Sequence, residues 1–192
     1  MKKILIALLV IVGNIGFSYA QTTDFRGFAW GNSIDNVQSG EKAALVAKVS
    51  NDELAYKDML GGSDCDVIYI FNDNNKLASG IYVFSKKYSN PQLYLQDYSK
   101  FKTLLIEKYG KPATEKENWS TTTSVTEKHN YGQAIADGNL TLNTVWNTDR
   151  SVIKILLINT RDKQPSLQIH YTTRSLDELE NKEELKAALK KL

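Results

Sequence analysis

The run Val152-Ile153-Lys154-Ile155-Leu156-Leu157-Ile158 is apolar on both faces of an extended chain. Such a strand needs a paired neighbour on each side and cover on both faces, so it belongs inside a sheet. Its neighbour in sequence, Ser166–Thr173, alternates with Leu167, Ile169 and Tyr171 on one face and His170 on the other. Further strands are expected at Ala44–Val49, Glu53–Leu60, Asp66–Phe71, Lys76–Phe84, Ala113–Trp119 and Leu140–Trp146, most of them rich in Val, Ile, Tyr, Phe or Thr. Asn72-Asp73-Asn74-Asn75 supplies a hairpin turn between two of them.

Helical periodicity marks the remaining segments. Ser33 is an N-cap for a short helix carrying Ile34 and Val37 and stopped by Gly40. From Pro91 to Tyr109, Tyr94, Tyr98, Phe101, Leu105 and Tyr109 recur at steps of three and four, giving one apolar stripe. Gly110 offers a left-handed cap and Pro112 prevents continuation. A helical turn is expected near Tyr131–Ala136. A final helix starts at the capping box Ser175-Leu176-Asp177-Glu178, with Leu185, Ala188, Leu189 and Leu192 as a stripe that docks on the sheet or on a partner.

The order is helix, four strands, helix, four strands, helix. That reads as an α+β fold, mainly antiparallel, with a short N-terminal helix, a long central helix and a C-terminal helix. Asp66-Val67-Ile68-Tyr69-Ile70 echoes Ser151-Val152-Ile153-Lys154-Ile155, so the chain can be read as two α-ββββ halves or as one composite unit.

The first twenty residues have the layout of an export signal: Lys2 and Lys3, then nine apolar residues from Ile4 to Val12, then Ser18-Tyr19-Ala20 with cleavage expected after Ala20. Nine residues make about 14 Å of helix, against a hydrocarbon core of about 30 Å. No cysteine near the cut invites a lipid anchor. Residues 21–192 then form a single α+β domain, periplasmic or secreted, with no stable membrane insertion. Of 24 Lys+Arg and 22 Asp+Glu, the signal holds two lysines and no acid, so the mature chain is neutral. A neutral chain without a basic stripe is a poor nucleic-acid binder.

Reactive constellations are sparse. Cys65, the single cysteine, lies between Asp64 and Asp66, which disfavours a thiolate; it reads as a small packed side chain or an intermolecular disulfide. Ser33 lacks the second glycine of a nucleophile elbow and is better used as a cap. His129 sits in a polar loop and His170 on the polar side of its strand; their separation gives no short metal spacing. Asp64 and Asp66 flank a strand start and read as solvated turn residues. Asn72-Asp73-Asn74-Asn75 fails the calcium-loop spacing. No cofactor and no catalytic or metal site are assigned. Trp30, Trp119 and Trp146 and the tyrosines are chiefly core candidates. Trp119 is the partner-binding candidate, because the Ser/Thr-rich stretch Ser120 to Thr126 beside it is unsuited to burial.

Trp30-Gly31-Asn32-Ser33-Ile34-Asp35-Asn36-Val37 resembles the W-G-x-S-x-x-x-V opening of an uncharacterised family of exported bacterial proteins. The resemblance continues through Tyr69-Ile70-Phe71, Tyr82-Val83-Phe84, Tyr109-Gly110-Lys111-Pro112, Trp146 and Ile169-His170-Tyr171, and covers most of residues 25 to 173. More distantly the pattern is similar to the beta-lactamase-inhibitor-protein-like fold, which implies a protein-binding, non-catalytic role. Asn32 replaces the usual methionine, the G-x-P element follows the second helix, and the lipidation cysteine is absent, so no role carries over residue by residue. The expected function is an exported, soluble, non-enzymatic binding module whose partner is a protein or an envelope polymer. The alternative is an envelope-polymer hydrolase with a carboxylate or His170 as base.

Overall fold

In a computed structural model, which describes residues 23–50, 52–120, 130–160, 164–175 and 189, eight strands pair into one antiparallel sheet. In chain order the elements are α1 (Ile34–Gly40), β1 (Ala44–Ser50), β2 (Glu53–Leu60), β3 (Ser63–Phe71), β4 (Leu77–Phe84), α2 (Gln92–Tyr109), β5 (Thr114–Trp119), α3 (Tyr131–Ala136), β6 (Leu140–Asn147), β7 (Ser151–Asn159) and β8 (Pro165–Thr173). The α+β class stands. The export signal, His129, the Ser/Thr-rich stretch beyond Ser120 and nearly all of the C-terminal helix lie outside the described residues. Leu189, the described member of its stripe, is exposed.

The strand order is β1-β2-β3-β4-β8-β7-β6-β5. Two up-and-down meanders therefore meet back to back at a β4–β8 seam, and each follows a helix. The echoing segments fall in β3 and β7, which hold matching places on either side of that seam. β7 is interior, between β8 and β6, as its two apolar faces require; the centre of the sheet is the seam itself.

Local chemistry explains the elements. Ser33 Oγ accepts from Asn36 N–H at 3.3 Å, capping α1. Gly61 and Gly62 both have positive φ, which the tight β2–β3 turn requires and other residues resist. Asn72 Oδ1 accepts from Asn74 and Lys76 N–H, shaping the β3–β4 hairpin. α2 buries Tyr94, Tyr98, Phe101 and Leu105, each side chain contributing about 2 kcal/mol by apolar burial. Gly110 takes positive φ at its end but an extended ψ, so it turns the chain without adopting a left-handed helical residue.

The helices cover one face of the sheet. Following the pairing across the strands, that face carries Leu54, Tyr56, Cys65, Val67, Tyr69, Tyr82, Phe84, Ile169, Tyr171, Ile153, Ile155, Leu142 and Trp146. All are buried. A strap before α1 completes this layer. Its hairpin Phe25–Phe28 drops Phe25 directly over Gly80, where a Cβ would come within 2.1 Å of the ring. Phe25 stacks edge-on against Tyr69 and Tyr82 and lies tilted over Tyr171, so it bridges β3, β4 and β8.

Candidate functional site

Among the described residues the helices pack mainly on β6, β7 and β8 and leave the β5 end of the sheet less covered. α2 packs on β7 and β8, and α3 on β6 and β7. Alternation along β5 sends Glu115, Glu117 and Trp119 toward the helix side, paired with Thr144, Leu142 and Leu140. Glu115 and Glu117 are exposed and Trp119 is half-buried. The result is a cleft of about 330 Å³ between α2, α3 and the β5–β6 pair.

Its floor is fixed. Tyr98 Oη lies 2.7 Å from Thr144 Oγ1, and both side chains are buried. Lys102 reaches from α2 to form an ion pair with Glu115. The rim is aromatic: Trp119 and Tyr131 meet edge to face, with ring centroids 5.3 Å apart. Glu117 Oε2 accepts from Tyr131 Oη at 2.8 Å and from Trp119 Nε1 at 3.3 Å. Two rings and two carboxylates are thus presented together, with flat apolar area beside hydrogen-bond acceptors. That combination suits recognition of a ligand bearing both apolar and donor groups. Trp119, the sequence candidate, lies at this rim. Glu115, Glu117, Lys102 and Tyr131 were not singled out by the sequence. The i, i+2 spacing of Glu115, Glu117 and Trp119 places them on one strand face; the approach of Tyr131 is purely tertiary.

The other candidates lie elsewhere. His170 faces away from Ile169 and Tyr171, as the alternation requires, but it is half-buried on the opposite sheet face. Its Nε2 is 2.8 Å from Gln168 Oε1 and it pairs across strands with Lys154 and Ile81. Desolvation, helped by the Lys154 charge, pushes its pKa down to about 4. The hydrolase reading needs an acid beside this imidazole, whereas its described neighbours are an amide and a cation. Cys65 is fully buried, and burial with the nearby Asp58 charge pushes its thiol up to about 11, away from nucleophilic chemistry. Asp66 forms an ion pair with Lys57 and Asp64 is exposed. Trp146 is core, its Nε1 donating to Gly110 O at 2.9 Å. Trp30 is half-buried and its Nε1 donates to Ser151 Oγ at 2.8 Å. Among the described residues no group of three or more His, Cys, Asp or Glu is placed to hold a metal ion.

A second charged cluster belongs to the fold. Arg26 donates through Nε to Glu41 Oε2 at 2.9 Å and through Nη2 to Asp58 at 2.6 Å. Glu41 also accepts from Tyr69 Oη and from the N–H groups of Lys42 and Ala43. The Glu41 side chain is 4% exposed, so its charge survives only because every oxygen is satisfied. Although burial alone would raise it, the Arg26 and Tyr69 hydrogen bonds dominate and hold its carboxyl down at about 2.

No family model, no curated protein and no solved structure matches the chain. Among the described residues no helix is long and apolar enough to cross a membrane.

Proposed function

We propose that this chain is a non-enzymatic binding module of the bacterial envelope, exported by residues 1–20, that holds its partner in the cleft between β5, α2 and α3. The observation that carries the reading is the Trp119–Tyr131 pair joined through Glu117 above the Tyr98–Thr144 floor. Rings fixed by hydrogen bonds offer contact area at low entropic cost, which is what an interaction surface needs. The motif resemblance to exported proteins, and more distantly to a protein-binding fold, agrees with it. His170 offers little to the hydrolase alternative, since its hydrogen-bond partner is the Gln168 amide and its cross-strand neighbour the Lys154 cation, so among the described residues no acid orients it, and burial makes it a weak base.

The test is site-specific photocrosslinking in an exporting bacterial host, with the photoreactive residue at the exposed position 118 beside the rim, which leaves Glu117 in place, and a control at Leu45 on the opposite sheet edge. One dominant adduct from position 118, absent from the control and reduced by Tyr131→Ala, is the expected result. Equal, diffuse labelling from both positions would remove the reading.

A further inference from the structure

We infer that the β5 edge takes up an extended segment of a partner protein as a ninth, antiparallel strand, and that it selects basic residues opposite Glu115 and Glu117 and an acidic residue opposite Lys116. The inference rests on the binding-module reading and names the chemistry of the partner.

Among the described residues two strands, β1 and β5, end the sheet with no further strand beside them, and they differ. β1 pairs with β2 through two register shifts, which bend an edge and spoil it as a template. β5 pairs with β6 in six unbroken steps, Thr114↔Val145 to Trp119↔Leu140. Ser120 N–H donates to Asn139 O at 2.8 Å, which fixes the alternation of the ladder. Thr114, Lys116 and Asn118 direct their backbone groups to β6, and Glu115 and Glu117 direct theirs outward. That edge is regular, exposed and able to donate and accept main-chain hydrogen bonds.

Charge decides what it can accept. Directly opposed residues in an antiparallel pair share a face. If a second copy added through its own β5, two registers would overlap five residues. One sets Glu115 against Glu117 twice and Lys116 against Lys116; the other sets Glu117 against Glu117. Both oppose like charges, so the edge rejects its own copy. A strand reading lysine, glutamate, lysine against Glu117, Lys116 and Glu115 meets an opposite charge at each position, its second lysine sharing Glu115 with Lys102. An apolar residue two places before the first lysine falls opposite Trp119, on the aromatic rim. The cleft beneath then receives the side chains that point to the helix side.

The test uses the mature chain and a capped hexapeptide of valine, threonine, lysine, glutamate, lysine and threonine, with a charge-reversed peptide carrying glutamate, lysine, glutamate at the three central positions. Binding is read by fluorescence anisotropy and by backbone amide shifts of Glu115 and Glu117. The first peptide is expected to bind at least about tenfold more tightly than the reversed one. A Glu115→Lys, Lys116→Glu, Glu117→Lys triple variant, whose changes are all at exposed positions, is expected to invert the preference. N-methylation of the two lysines, which removes their edge-facing N–H groups, is expected to abolish binding. Equal affinity for both peptides, or indifference to N-methylation, overturns strand addition. Binding of a β-linked N-acetylhexosamine oligosaccharide, with neither peptide bound, overturns it too but leaves the binding module standing. The absence of a specific adduct from position 118 is the separate failure of the module itself.

Discussion

Two titratable groups, the buried Glu41 carboxylate and the half-buried His170 imidazole, contribute to how this chain responds to acid, and they do so in different windows. Glu41 ionises near pH 2 in the folded chain, below the ordinary carboxylate value of 4.5. Its stabilising effect is complete above that ordinary value and fades as pH falls through about 2. Glu41→Gln should therefore cost about 2 kcal/mol near neutral pH, because it removes the charge-assisted bonds from Arg26 and leaves Asp58 as that guanidinium's remaining carboxylate partner, and the difference from wild type should largely vanish at pH 2. Urea unfolding followed across that range measures it. His170 also has a depressed folded value, about 4 against 6.5. The unfolded chain takes up its proton first, so stability falls as pH drops from 6.5 to 4, by about 3 kcal/mol, and no further below that. His170→Gln should flatten that interval and leave the Glu41 interval unchanged.

Among elements, the strap over the first meander is held by shape as much as by charge. Gly80→Ala places a methyl where Phe25 lies and should destabilise the chain by about 3 kcal/mol, while Phe25→Leu in the same background should recover part of the loss. Thermal unfolding of the two variants tests this. Phe101 on α2 lies 4.2 Å from Phe84 between ring centroids and is 1% exposed, so Phe101→Ala should cost about 4 kcal/mol. The α2 stripe was legible because helical spacing alone determines which side chains share a face. Strand identities were legible for the same reason, with differences at the ends: β3 starts at Ser63, because the Gly61-Gly62 turn brings pairing closer than the apolar run suggests. The strap was not legible. Phe25, Arg26 and Glu41 carry no periodicity, and their meeting depends on a glycine fifty-odd residues away. The cleft was half legible. Trp119 stood out as a large aromatic beside a polar stretch, whereas Lys102 and Tyr131 reach it only through the packing of α2 and α3.

For the whole molecule, the seam between the meanders is the long-range commitment of the fold. Ser79 Oγ donates to Tyr171 O at 2.9 Å across 92 residues. The strap adds Asp24 to Arg150 at 2.7 Å and Trp30 to Ser151 at 2.8 Å. All three ties join the first half of the chain to the second. Every other strand pairing links neighbours in sequence, and such local pairs form quickly. A chain ending at residue 160 should thus retain both sets of local hairpins yet remain sensitive to protease around β4, and adding residues 161–175 should restore resistance.

Because a chain emerges from its N-terminus, β4 is finished long before β8 exists. Throughout that interval Ile81, Val83 and the unsatisfied backbone of β4 form a bare, apolar border in the middle of what will become the sheet. Its natural mate is the last strand made. The emerging chain thus spends nearly half of its synthesis with a sticky edge and nothing of its own to close it, which makes the time before residue 173 appears, and whatever shields the chain during it, a determinant of yield.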